Sequence, residues 1–208
     1  MATTSPYRLT GSTLLQTIDN WDRLMNFRAQ LIACGGTALT LLNLKESTKD
    51  VDFIVPVITE YEKLMKFLKA IGYAEKGGGW AHRDDPLFLY QFWFGSRVFT
   101  TDLLASPLKK GNHIPIKEGR HIYLGALNLL DLIITKVFRG TSVDMDDCIT
   151  VFEAGGVDPD ELLDRYMETA SYDLDPHHMM QNLKMFADRL ASKDLVGAEF
   201  VEKVKSCQ

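Results

Sequence analysis

The sequence predicts an α/β fold in the broad (α+β) sense: a small mixed β-sheet flanked by helices, with a helical C-terminal part. Three observations carry this. Short apolar, β-rich runs alternate with stretches of helical spacing up to about residue 155. Two pairs of such runs are joined by glycine-containing turns, Gly95-Ser96 and Glu118-Gly119, which are hairpin signals. From Gly156 onward every periodic stretch is helical. We therefore expect a core domain over residues 1–155 and a helical extension over residues 156–208.

The elements follow in order. Ser12 to Ala29 spaces Leu14, Leu15, Ile18, Trp21, Leu24, Met25 and Phe27 as a helix does, with Ser12 as its cap. Leu31 to Cys34 is a short apolar run that reads as a buried strand, broken by Gly35-Gly36, and Thr37 caps a helix expected to reach Leu44. The strand that begins at Asp50 comes next. Tyr61, Leu64, Met65, Leu68 and Ile71 define a helix ending near Gly72. Gly77-Gly78-Gly79 is a turn, and it lacks the Lys-Ser or Lys-Thr that a P-loop requires. Leu87 to Phe94 and Arg97 to Leu104 form one expected hairpin; Ile114 to Ile116 and His121 to Leu124 form the other. Leu127, Leu130, Ile133, Ile134 and Val137 then make a strongly apolar helix, and Asp144 and Asp147 open the next. Asp158-Pro159 and Asp175-Pro176 are cap-plus-proline starts for helices Pro159 to Ala170 and Pro176 to Ser192, and Asp194 to Lys205 makes a last one.

The residues that point to chemistry lie between 35 and 52. In a strand the side-chain period is two, so Asp50 and Asp52 project from one face while Val51, Phe53 and Val55 project from the other. Neighbouring carboxylates repel, and a hard divalent cation relieves that repulsion: Mg²⁺ takes oxygen ligands and is commonly held by one or two carboxylates together with substrate phosphates. Gly35, Gly36 and Thr37 supply a complementary feature, a backbone turn at a helix start whose N–H groups suit an anion such as phosphate. Asp102 shares strand parity with Val98 and Thr100, and reads either as a third metal ligand or as a strand-end aspartate. Lys136 and Arg139 near a helix C-terminus, and Asp144 and Asp147 at a helix start, have ordinary dipole explanations beside any functional one.

Composition sets bounds. A hydrophobic content of 46% and charged content of 25% are ordinary for a soluble globular protein, and 208 residues can bury a substantial core. The net charge of −5 gives no global attraction to nucleic acid, so an RNA partner would need a local patch. Lys45, Lys49, Lys109, Lys110, Lys117 and Arg120 are its candidates, and solvated surface is their plainer reading. Cys34, Cys148 and Cys207 lack metal-ligand spacing and fit thiols in a reducing cytosol. With no signal-peptide pattern and no apolar stretch of about 18 residues, a cytoplasmic location without membrane partners is expected.

On these residues the chain resembles the DNA polymerase β-like nucleotidyltransferase superfamily, and within it the small prokaryotic abortive-infection toxin nucleotidyltransferases. The matching features are the apolar strand Leu31 to Cys34, Gly35-Gly36-Thr37, Asp50-Val51-Asp52, and Asp102 as the later acid; Lys136, Arg139, Asp144 and Asp147 follow the order of the toxin-like branch. The resemblance spans about residues 10 to 155, with Val143 where that branch usually carries a lysine. It implies Mg²⁺ (or Mn²⁺) on Asp50, Asp52 and Asp102, and a nucleoside triphosphate held by Gly35, Gly36, Thr37, Lys136, Arg139, Asp144 and Asp147. Asp50, Asp52, Asp102 and Lys136 would be its catalytic residues. It further implies transfer of a nucleoside monophosphate to an RNA or protein hydroxyl, and an antitoxin partner. The alternative is a catalytically inactive binding module on the same fold.

Overall fold

The computed structural model describes residues 8–207. In chain order the elements are β1 (Leu9–Thr10), α1 (Gly11–Leu24), β2 (Ala29–Ala33), α2 (Gly35–Leu41), β3 (Ser47–Thr48), β4 (Val51–Val55) and α3 (Ile58–Ala70). They continue with β5 (Tyr73–Lys76), β6 (Gly79–His82), β7 (Asp85–Phe94), β8 (Arg97–Val98), β9 (Thr101–Asp102), β10 (His113–Glu118) and β11 (Ile122–Leu127). Five helices complete the described residues: α4 (Leu129–Arg139), α5 (Ser142–Ala154), α6 (Pro159–Ala170), α7 (Pro176–Ser192) and α8 (Ala198–Ser206). The architecture is the mixed sheet with flanking helices that the sequence predicts. None of these helices is long and apolar enough to cross a membrane. Two compact units are present, one of residues up to Arg97 with Ala105–Leu127, the other of Val98–Leu104 with residues from Asn128 onward.

The first unit is built on a seven-stranded sheet in the order β10-β11-β2-β4-β7-β6-β5. β11 and β2 are parallel, as are β4 and β7; β2 and β4 run antiparallel. Strand β4 is buried along its whole length, which explains its near-continuous apolar run. Trp21 of α1 closes one face over Tyr73, Tyr90 and Phe92, at ring-centroid separations of 5.6, 5.4 and 6.2 Å. Pro115 sits in edge strand β10, where a missing N–H is tolerated, beside a register shift between Pro115 and Lys117. Asp22 of α1 accepts the backbone N–H groups of Arg120, His121 and Ile122 at 3.0, 2.7 and 2.6 Å. Partial burial raises its pKa, but those three donors outweigh it and hold the carboxyl below the usual range.

The second unit packs helices. Asn128 and Thr141 cap α4 and α5, and Asp158 and Asp175 cap α6 and α7 ahead of their prolines, as the sequence predicts for the last two. Arg165 of α6 clasps the buried Asp131 of α4 in two hydrogen bonds of 2.6 and 2.7 Å. Phe138 packs edge-on to Tyr166 at 4.9 Å, and Phe152 to Phe186 at 5.7 Å.

Four expectations are corrected. The first helix starts at Gly11 behind an N-cap at Thr10, not Ser12, and stops at Leu24; Met25 turns extended but stays buried, so core-facing loop residues prolonged the helical spacing. Helix α2 spans Gly35–Leu41 rather than running from Thr37 to Leu44. It ends in a Schellman turn: Asn43 has φ +60°, Leu44 N–H donates to Leu39 at 2.8 Å and Asn43 N–H to Thr40 at 3.3 Å. The same device stops α7. Asp194 at φ +57° is the turn residue, with Leu195 N–H donating to Leu190 at 3.0 Å, so the last helix begins at Ala198 instead of Asp194. Finally, Leu87–Phe94 and Arg97–Leu104 do not pair. β7 lies between β4 and β6, while Phe99 at φ +54° folds the second run on itself as the β8-β9 ribbon.

Candidate functional site

The candidate site of the first unit lies where β2 ends and β4 begins, brought together by their antiparallel pairing. Cys34 N–H donates to the Asp52 carbonyl at 3.1 Å, tying the residue before the glycines to the acidic strand. Gly35 then takes φ +56°, a left-handed conformation that costs a side chain about 1 kcal/mol or more. A Cβ built there would stand 2.9 Å from Asp52 Oδ2, and one on Gly36 would stand 2.7 Å from Thr48 Oγ1. Both glycines are therefore demanded by close approach, Gly35 by conformation as well. Gly35 is buried under the Asp52 carboxylate, and Gly36 is the partly exposed member of the pair.

Asp52 lies inside β4 and is 6% exposed. Asp50 precedes the strand in a bend and is exposed. Strand parity across both residues, the basis on which they were expected to share a face, therefore does not extend to Asp50. Thr37 does not cap α2; the N-cap is Cys34, with no side-chain cap bond. The fully buried Thr37 hydroxyl accepts from Asp52 N–H at 2.9 Å and donates to the Asp50 carbonyl at 3.2 Å. Thr48 donates to the same carbonyl at 2.8 Å. Two threonines thus hold the backbone of the Asp-Val-Asp segment. Sequence reading missed Thr48, because its acceptor two residues on is brought within reach by the bend at Lys49 and Asp50, which no residue pattern announces.

In the second unit Lys136, Arg139, Asp144 and Asp147 converge. Lys136 is 2% exposed and its Nζ donates to Asp147 Oδ2 at 2.7 Å and Asp144 Oδ1 at 3.2 Å. Arg139 grips Asp144 through Nε at 2.7 Å and through its Nη2, and its guanidinium lies over the Phe99 ring at 4.5 Å. Thr141 adds its hydroxyl to Asp144 Oδ2 at 2.6 Å. Burial pushes the Asp144 pKa up, yet the hydrogen bonds from Arg139 and Thr141 and the charge of Lys136 prevail and hold it at about 2. Burial raises the thiol of the neighbouring Cys148 far above its ordinary value, so it stays protonated. Asp102, in β9 of this unit, is exposed.

The donor set offered to a cation in the first unit is one exposed and one buried carboxylate, Asp50 and Asp52, two residues apart beside a glycine turn. Hard oxygens suit Mg²⁺ or Mn²⁺ and do not suit softer metals, so the residues present fit such an ion in kind. Among the described residues no group of three or more His, Cys, Asp or Glu is gathered closely enough to hold a metal.

No family model and no curated protein matches the chain. Among solved structures, MenT4, the nucleotidyltransferase toxin Rv2826c from Mycobacterium tuberculosis H37Rv, aligns at a TM-score of 0.42 and 18% identity. The alignment covers 77% of this chain, which spans 65% of the length of that one.

Proposed function

We propose that the chain is a metal-dependent nucleotidyltransferase that moves a nucleoside monophosphate from a triphosphate to an acceptor hydroxyl. The observation that carries this reading is the fit of Gly35 against the Asp52 carboxylate: a turn with no room for a side chain is packed on an acid in the strand that follows the glycine motif. The acceptor class, RNA or protein, and a role as the toxin of a toxin–antitoxin pair are extensions of the same reading. They rest on the motif resemblance.

Asp50 and Asp52 would hold Mg²⁺ or Mn²⁺, which when bound neutralises triphosphate charge and acidifies the acceptor hydroxyl. The chain's own contribution is positional. Thr37 and Thr48 pin the Asp50 carbonyl and the Asp52 N–H, so the backbone carrying both carboxylates is fixed before substrate arrives. Gly36, the accessible glycine, is where a phosphate oxygen meets the turn.

The test is incubation with radiolabelled nucleoside triphosphates, Mg²⁺ and cell extract. Label should pass to a macromolecule with wild type, and fall at least about a hundredfold with Asp52→Asn or Asp50→Asn. Transfer that survives both substitutions defeats the enzymatic reading.

A specific observation favours the second reading, a binding module without catalysis. Lys136, expected to face the triphosphate, is buried and engaged by two carboxylates. Under that reading calorimetry shows no Mg²⁺-dependent triphosphate affinity that Asp50→Ala abolishes, and extract shows no label transfer.

A further inference from the structure

Within the first unit, away from residues 35–52, a cavity of about 320 Å³ opens between the last turns of α1 and the β5-β6-β7 edge of the sheet. Its aromatic lining comes from three elements and is already interlocked: Trp21, Tyr73 and Tyr90 stand 5.4 to 5.6 Å apart, ring to ring. Phe88 joins them from β7, and Leu24, 64% exposed, forms part of the rim. The volume lies in the range of small-molecule sites, and the wall mixes these rings with polar side chains of Thr17, Asn20, His82 and Asp85.

The polar groups decide what such a cavity accepts. His82 is occupied: one ring nitrogen, Nε2, faces the Ile71 carbonyl at 3.2 Å and must donate, while Nδ1 accepts from Asp84 N–H at 3.2 Å. The Asp84 carboxylate also lies 3.8 Å from Nδ1, so both ring nitrogens are engaged within the protein. Asn20 Oδ1 accepts from Arg23, which points its amide oxygen at the helix surface. Asp85, exposed, is the carboxylate among the lining side chains. Its carboxylate reaches the tyrosines electrically. Burial raises both phenols, and Asp85 adds to the rise at each, so Tyr73 and Tyr90 remain neutral with their rings electron-rich. Aromatic rings present negative quadrupole faces, and a carboxylate beside them compounds that potential. That potential favours a cation over an anion.

We propose that this cavity is a binding site for a small organic cation, an alkylammonium or guanidinium group, with Trp21, Tyr73, Phe88 and Tyr90 as its walls and Asp85 as its counter-charge. The site does not depend on nucleotidyl transfer, because none of its residues belongs to the glycine turn or to the acidic pair.

The experiment uses the full chain and the probes tetramethylammonium chloride and guanidinium chloride at millimolar concentration, with tert-butanol as a neutral probe of similar shape. Titrations are followed by calorimetry and by the indole N–H resonances of the ¹⁵N-labelled protein. Saturable binding of at least one cation that shifts Trp21 is expected, with no matching response to tert-butanol. Asp85→Asn should weaken it by about tenfold, and Phe88→Leu by several-fold. Asp85→Glu should retain binding, as should Asp84→Asn, which removes the adjacent carboxylate outside the cavity. Three results overturn the proposal: no saturable response to either cation, equal binding of tert-butanol, or unchanged affinity in both Asp85→Asn and Phe88→Leu. Asp85 is exposed, so its variants are expected to fold; Phe88→Leu gives an independent reading should one of them not.

Discussion

A carboxylate only 1% exposed has to be met by donors, and Asp144 is met by Lys136, Arg139 and Thr141 together. Removing one member leaves buried charge less well compensated. Lys136→Met should cost about 3–5 kcal/mol in urea unfolding, and the double variant Lys136→Met with Asp147→Leu should cost less, since it no longer buries Asp147 beside a missing partner. A double variant as unstable as the single would show that Lys136 acts through packing rather than charge. Gly35 offers a second residue-scale prediction. Gly35→Ala combines a left-handed backbone with a Cβ 2.9 Å from Asp52 Oδ2, and should lower stability by about 1–3 kcal/mol and abolish label transfer. At this scale the sequence was legible where residue type alone carries meaning. The glycine pair and the Asp-Val-Asp run announce close approach and charge, whereas the tasks of Thr37 and Thr48 were invisible because their partners are backbone atoms 13 to 15 residues away, for Thr37, or on the other side of a bend, for Thr48.

At the scale of elements, the threonine latch joins α2 to β4. Thr37→Val keeps the shape but leaves the buried Asp52 N–H without its acceptor, for an expected loss of about 1–3 kcal/mol; Thr37→Ser should recover most of it. Thermal denaturation of the two variants, read beside label transfer, separates a latch from a mere space-filler: if Val and Ser behave alike, the hydroxyl does nothing. Helices with proline and a capping acid at their start, α6 and α7, were legible residue for residue, because cap and proline act within one turn. Element ends were less so. Asn43 and Asp194 stop their helices in left-handed turns, and an Asn or Asp in a helical pattern signals this only weakly. The β8-β9 ribbon was misread as half of a hairpin with β7, since Gly95-Ser96 has hairpin chemistry yet the partner of β7 is β4, more than thirty residues earlier.

At the scale of the whole molecule, stability should follow pH through the acids that folding makes stronger. Asp144, held at about 2 in the folded chain, contributes about 2 kcal/mol above the unfolded carboxyl pKa of about 4, and this is lost as pH falls through 2. Asp22, also lowered, acts in the same direction. Melting curves from pH 6 to pH 2 should therefore fall on the acid side, and Asp144→Asn should start lower and fall less. A variant curve parallel to wild type would remove Asp144 as a cause. Charge is divided between the units: 15 Lys and Arg against 11 Asp and Glu in the first, net +4, and 8 against 17 in the second, net −9, which together make the −5 of the whole chain. A composition summed over the chain hides that the part bearing the glycine turn is the basic one.

By itself the sequence determined the broad alternation of strands and helices, the starts of α6 and α7, and the position of the glycine turn ahead of the acidic strand, because periodicity, caps and missing side chains act over a few residues. Only the tertiary structure decided that β2 and β4 run antiparallel, so that Gly35 meets Asp52; that Lys136 is enclosed by Asp144 and Asp147; and that α1 and the β5-β7 edge leave a cavity beside Asp85. These are matters of pairing between distant segments. The free energy that selects them comes from burying whole faces against each other, which no local pattern encodes.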